Sequence, residues 1–229
     1  MITCQIVSSQ SNNLPGHRKG IRDNMQQLKM YRPGLLQMRA PVFPEGYTFS
    51  HYQMESDRMA WCACCRNGLI ADDADESAYE EAIAGNPDID QTQDVFFLDH
   101  HGEHIGTVTA YLQQNQIGVI HMVALRTDYR GKRLSNLLVR LGVRHLMQKN
   151  AKYAALTTDD WRKSAIRVYL NEGFLPVEYD VGMQERWERI LEELKIEKVQ
   201  MLCEDAADFR MIYRCSCAPD LRHGMRDAD

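Results

Sequence analysis

The chain has 229 residues, 44% of them hydrophobic and 26% charged, enough for one full-sized domain or two very small ones and unlike a disordered, collagen-like or fibrous chain. Lys and Arg total 27 against 32 Asp and Glu, a formal net charge of -5. That balance argues against general nucleic-acid binding, because neutralising phosphates needs a basic face.

Residues 1 to about 45 are loosely patterned, with turns at Leu14-Pro15-Gly16, Arg32-Pro33-Gly34 and before Gly46. They read as an N-terminal lead-in packed on the domain. A domain is expected over 46–195. Tyr47, Phe49 and His51 alternate as in a short strand. Glu55 to Cys65 reads as a helix with Met59, Cys62 and Trp61 inward. Asp72 to Ala84 reads as a second, very acidic helix stopped by Gly85-Asn86-Pro87. Val95 to Leu98 is a buried strand, Asp99 to Glu103 a turn, Ile105 to Leu112 the return strand, and Gly118 to Leu125 a third strand.

After a break at Asp128 to Gly131, Leu134, Leu137, Leu138, Leu141 and His145 follow the i, i+3, i+4, i+7 spacing of an amphipathic helix ending near Asn150. Tyr153 to Thr157 is a short strand, Trp161 to Asn171 a helix stopped by Gly173, Phe174 to Tyr179 a strand, and Gln184 to Lys195 a charged amphipathic helix. An extension over 196–229 holds two short strands, Lys198 to Leu202 and Arg210 to Arg214, and a polar end from Ala218. The order predicts a mixed α/β fold with crossover helices in its second half.

The strand Val123-Ala124-Leu125 runs into the turn Arg126-Thr127-Asp128-Tyr129-Arg130-Gly131-Lys132-Arg133, and a helix begins at once. The first N–H groups of a helix lack partners within it and favour an anion. Gly131 allows close backbone approach to a diphosphate, and Lys132 and Arg133 add charge. A basic surface turn capping a core helix is the plainer alternative.

This turn resembles that of the GNAT superfamily of acetyl-CoA-dependent N-acyltransferases, whose signature there is Gln/Arg-x-x-Gly-x-Gly/Ala. The aligned residues are Arg130, Gly131, Lys132, Arg133, Leu134 and Ser135, with Arg133 in place of Gly at the fourth position and Ser135 at the sixth. A second block, Ala165, Tyr169, Gly173 and Phe174, matches the family's Ala-x-x-x-Tyr-x-x-x-Gly-Phe, after Thr157-Thr158-Asp159-Asp160-Trp161-Arg162. The resemblance spans about Gly46 to Tyr179.

The resemblance implies a mostly antiparallel sheet flanked by helices, with two splayed central strands that hold acetyl-CoA. It places the thioester arm against Val123, Ala124 and Leu125, and the phosphates at Arg130, Gly131, Lys132, Arg133, Leu134, Ser135, Asn136 and Arg162. The amine attacks directly, the oxyanion is stabilised by a backbone N–H, and no metal is implied. Tyr169 matches the family's general acid. The base is His121, on the strand that leads to the thioester, or a water chain to Glu178 or Asp159.

Cys62 and Cys65 have the Cys-x-x-Cys spacing, but no second pair with metal-ligand spacing follows, and buried apolar cysteines are the expectation. His100, His101 and His104 cluster at a hairpin tip, expected to be a solvated turn. Eight acids crowd into residues 72–90 with no basic residue, whereas residues 126–149 carry seven basic residues and one acid. The acidic stretch is either a solvated face or a rim favouring a cationic amine. Seven cysteines, an odd number, suggest a reducing, cytoplasmic compartment. No apolar run of membrane-spanning length and no secretory leader is recognised, so no membrane partner is expected. The expected function is acetyl transfer to a primary amine of a small molecule or peptide. The rival is a non-catalytic acyl-CoA-binding or interaction module, with the tail open to homodimer formation.

Overall fold

The computed structural model describes residues 26–37 and 39–215. The turn expected at Leu14-Pro15-Gly16, the polar end from Ala218, and Cys217 lie outside the described residues. Nine strands form one sheet in the order β2-β3-β4-β5-β6-β1-β7-β8-β9. In chain order they are β1 (Leu28–Arg32), β2 (Tyr47–His51), β3 (Val95–His100), β4 (Glu103–Leu112), β5 (Gly118–Leu125), β6 (Ala154–Thr158), β7 (Leu175–Glu178), β8 (Lys198–Cys203) and β9 (Asp208–Tyr213). Six of the eight neighbouring pairs are antiparallel; β5 with β6 and β7 with β8 are parallel.

The longer helices are α1 (Ser56–Cys65), α4 (Leu134–Gln148), α5 (Lys163–Asn171) and α6 (Met183–Leu194). The short α2 (Ser77–Tyr79) continues as a π-helical turn over Glu80–Ala84, and α3 (Gln91–Asp94) precedes β3. α4 buries Leu134, Leu137, Leu138, Leu141 and Leu146 against the sheet. Gly142 permits a tight fit, since a Cβ there would stand 2.8 Å from Ile120 Cδ1. A separate core, with Trp61, Tyr79, Ile83 and Phe97, lies between the sheet and α1–α2.

Four details depart from the sequence pattern. A strand, β1, lies in the loosely patterned stretch and sits mid-sheet between β6 and β7. Its Leu28, Met30, Tyr31 and Arg32 are all buried, so the alternation of a half-exposed strand is missing. Met59, expected inward, is 42% exposed, because Asp57, Trp61, Cys64 and Cys65 define the inward arc of α1. The acidic helix is short, because Asp72 accepts from the Asn67 N–H and Asp75 from the N–H and hydroxyl of Ser77, bonds that compete with helix. The expected turn at Asp99 to Glu103 shrinks to His101 and Gly102, whose φ of 50° and 84° suit a two-residue hairpin.

Candidate active site

Two irregularities open the sheet at its centre. β5 and β6 pair only at Gly118 with Ala154 and at Val119 with Ala155, and then diverge. On its other side β5 slips against β4: Thr109 faces His121 but Thr107 faces Ala124. Met122 and Val123 thus form a bulge, and Met122 takes a φ of 50°. Bulged backbone leaves the regular ladder, and left-handed geometry costs a non-glycine residue about 1–2 kcal/mol. Such strain persists where surrounding structure enforces it, characteristically at functional sites.

Below the splay lies a cleft of about 1040 Å³. Val123, Ala124 and Leu125 form one wall; Tyr169 and Val168 of α5 form another; residues 67–69 cover it. The turn before α4 closes the end. There Gly131 has φ 79° with nothing within 4 Å of a Cβ position, so the backbone is open to a ligand. Arg133, the N-cap of α4, has φ 61° and ψ 17°, and no side chain caps the helix. The left-handed conformation that the glycine of the motif would adopt freely is thus retained by an arginine. The uncapped N–H groups and the basic turn could hold an anion.

Arg130, Gly131, Arg133, Ser135, Asn136 and Arg162 line the cleft. Lys132 and Leu134 are not among its lining residues: Lys132 stands 4.7 Å over the Tyr129 ring, and Leu134 is buried in the core. Asn136 donates from Nδ2 to Glu172 Oε1 at 2.7 Å, so its amide is engaged within the protein. Sequence reasoning gave no site role to Trp161, which sits in the quoted run before α5, or to Arg140, Glu172 and the covering residues 67–69, which reach the cleft through tertiary packing.

A second cavity, of about 460 Å³, lies beyond the bulge. Ala71, Ala74, Ala78, Ala82, Tyr111 and Glu81 line it with His121 and Met122, and Leu69 lines both cavities. His121 Nε2 lies 3.2 Å from the Ala82 carbonyl. A carbonyl only accepts, so the neutral ring carries its proton on Nε2 and its lone pair on Nδ1. Burial holds the imidazole below the usual histidine range, against an opposing pull from that carbonyl. The Tyr169 phenol is pushed up to about 12 by burial, with Arg162 pulling the other way.

Glu178 pairs with Arg210 at 2.8 Å, and Asp159 with Arg162 at 2.8 Å, so both carboxylates are engaged in ion pairs. Of the eight acids in residues 72–90, Glu81 lines the smaller cavity. Asp72 and Asp75 serve local turns, Glu80 faces Arg58, and Asp90 caps α3. Cys62, Cys64 and Cys65 are buried, with thiols pushed up by burial. At the hairpin tip the expected solvated turn is replaced in part by packing. His104 is clasped by Asp99 and Asp57, and His100 lies 3.1 Å from the Tyr129 hydroxyl. Among the described residues no group of three or more His, Cys, Asp or Glu is arranged to hold a metal. Nor is any helix among them long and apolar enough to cross a membrane.

A sheet splayed above an uncapped helix N-terminus, with a bulge between two cavities, defines a mixed α/β protein whose cleft suits an extended, anionic ligand lying along β5. The sequence model of the GNAT acetyltransferase family matches residues 44–174, and the chain belongs to that family. A mycothiol acetyltransferase of Streptomyces bingchenggensis is 28% identical over 154 residues, 65% of this chain and 49% of the relative. One from Corynebacterium efficiens is 34% identical over 88 residues, 38% of this chain and 30% of the relative. The chain spans about half the length of the first of these and less of the second. Among solved structures, a GCN5-related glucosamine N-acetyltransferase region of a fungal multi-domain β-N-acetylglucosaminidase superposes with a TM-score of 0.51. It is 12% identical and covers 67% of this chain and 20% of that one, a likeness of fold.

Proposed function

We propose that the protein transfers an acetyl group from acetyl-CoA to a primary amine by direct attack. One observation carries this reading: Val123 lines the larger cleft and Met122, beside it in the bulge, lines the smaller cavity, so a thioester in one and an amine in the other are brought to adjacent residues of β5. The cleft's size and its open anion site fit acetyl-CoA, which supplies the activated acetyl group. In this reading backbone N–H groups at Gly131 to Ser135 hold the diphosphate, Lys132 and Arg133 add charge, and Val123 to Leu125 pair with the amide arm. A main-chain N–H at the bulge is the donor for charge building on the carbonyl oxygen.

His121 takes the amine's proton. Its depressed basicity keeps it neutral near pH 7, and the Ala82 carbonyl leaves Nδ1 as the accepting atom. Tyr169, protonated well above neutral pH, donates to the departing sulfur. The smaller cavity, lined by four alanines with Leu69, Ile70, Met122 and the Tyr111 ring, supports a small acceptor with an apolar body. Glu81 is the feature that favours a cationic one. The name of the relatives puts mycothiol-related amines on the acceptor panel. A homodimer through β9, the edge of the sheet, and a cytoplasmic compartment for the free thiols complete the reading.

Calorimetric titration with acetyl-CoA, followed by CoA release over an amine panel, tests it. Absence of binding overturns the proposal; binding without turnover on any amine favours the acyl-CoA-binding module.

A further inference from the structure

Residues 66–74 form a strap between α1 and α2 that roofs the larger cleft with its first half and walls the smaller cavity with its second. Some of its hydrogen bonds are local: Leu69 and Ile70 donate to the Cys65 carbonyl, Asn67 to Asp72, and Arg66 to the Ala74 carbonyl. Two arginines distant in sequence reach it from below. Arg130 donates from Nη1 and Nη2 to the Asn67 carbonyl, both at 3.2 Å, and from Nη2 to the Arg66 carbonyl at 3.4 Å. Its Nε is spent on the Leu125 carbonyl at 3.1 Å. Arg162 donates from Nη2 to the Gly68 carbonyl at 2.6 Å, is held through Nε by Asp159, and lies 4.2 Å over the Trp161 ring. Both guanidinium groups flank Gly68, whose Cβ position is 3.8 Å from Arg162 Nη1 and 3.9 Å from Arg130 Nη2.

Arg130 follows β5 and Arg162 follows β6, the two strands that part to make the cleft. We propose that Arg130 and Arg162 are positioning residues: a two-sided brace that ties the open ends of the splayed strands to the strap and so sets the wall met by the acceptor. The brace rests on reading the larger cleft as the acetyl-CoA site. Every nitrogen of Arg130 is already bonded to a backbone carbonyl. Turning that guanidinium to a phosphate would release the strap from it. The anion falls instead to the backbone of residues 131–135 and to the side chain of Arg133.

Hydrogen–deuterium exchange on the whole chain without ligand tests the brace, using Arg130→Ala, Arg162→Ala and the conservative Arg162→Lys. Amides of residues 67–74 are expected to exchange about fivefold faster or more in the alanine variants, while those of β4 and α4 keep their rates. Arg162→Lys keeps a cationic donor able to reach the Gly68 carbonyl and restores most of the protection. Wild-type exchange of the strap in Arg162→Ala, whose side chain lies at the cleft mouth outside the core, overturns the proposal. Acetyl-CoA affinity is the second readout. A loss of about tenfold or more in Arg162→Ala with strap protection intact assigns the arginine to the phosphates and also overturns it. If the wild-type chain fails to bind acetyl-CoA, the cleft reading falls, and the exchange result still decides whether the brace exists.

Discussion

Arg140 grips Glu172 with two parallel bonds, Nε to Oε2 at 2.8 Å and Nη2 to Oε1 at 2.9 Å. The carboxylate is nearly inaccessible, with its side chain 4% exposed. It joins α4 to the end of α5, and the backbone carbonyl of the same residue accepts from Arg32 of β1 at 2.7 Å. Replacing Arg140 by Met leaves a buried carboxylate with only the Asn136 amide. A loss of about 3 kcal/mol is expected, the usual cost of stripping a buried charge of its partner. Urea unfolding measures it, and a loss under about 1 kcal/mol would show that Glu172 is reached by water.

The His104 cluster gives stability a pH dependence of defined sign. The hydrogen bond to Asp99 raises the imidazole above the usual histidine range, burial opposes this, and the Asp99 and Asp57 charges add to the rise. A group whose basicity rises on folding contributes fully below its unfolded pKa, about 6.5, and loses that contribution as pH climbs through the folded value. The stability gap between wild type and His104→Gln is therefore expected to be widest below about pH 6.5 and to close toward alkaline pH. Denaturation midpoints across that range check it; a gap that widens with pH contradicts the assignment.

Tyr169→Phe removes a proton donor and little else. The rate of acetyl transfer is expected to fall about 100-fold, with acetyl-CoA affinity within about twofold of wild type. Steady-state kinetics and calorimetry separate the two, and an unchanged kcat removes Tyr169 as the acid.

For His121 the informative measurement is the pH profile. Burial lowers its pKa, so the acid limb of kcat/KM is expected below pH 6.5, the ordinary histidine value. In His121→Gln that limb should vanish together with about tenfold to 100-fold of the rate. A limb that survives in the variant belongs to another group.

Arg133 tests the left-handed turn. Arg133→Gly is expected to be more stable than Arg133→Ala by about 1 kcal/mol, since only glycine adopts this conformation without steric cost. Both variants lose a charge at the anion site and should bind acetyl-CoA about threefold to tenfold less tightly, less so at high salt. Equal stability of the two would mean that the turn relaxes when the arginine is removed.

The basic turn before α4 and the Ala165–Phe174 block were legible in the chain because their patterns are local. A strand, a tight turn and a helix N-terminus sit within about fifteen consecutive residues, and Ala165, Tyr169, Gly173 and Phe174 recur at helical spacing and its stop. The helix over residues 134–148 was equally plain, because its leucines repeat with the helical period. The acidic stretch was less legible, for the converse reason. Asp72 and Asp75 are used at short range by the turns they sit in and Glu80 by Arg58, while Glu81 lines a cavity, so the number of acids does not say which of them face it.

What only the tertiary structure decided are the relations between distant segments. β1 gains its place through registers such as Leu28 with Thr158, and no local pattern records a partner so far along the chain. The bulge at Met122, the splay beyond Val119 and the placing of a cavity on either side of the bulge depend on the registers of β4, β5 and β6, set by pairing between distant segments. The arginines at 130 and 162 show the division most clearly. Composition and motif placed positive charge at the mouth of the cleft, but only packing brings both guanidinium groups to the carbonyls beside Gly68. Backbone acceptors are the same at every residue, so sequence carries no mark of which carbonyl a distant side chain will find.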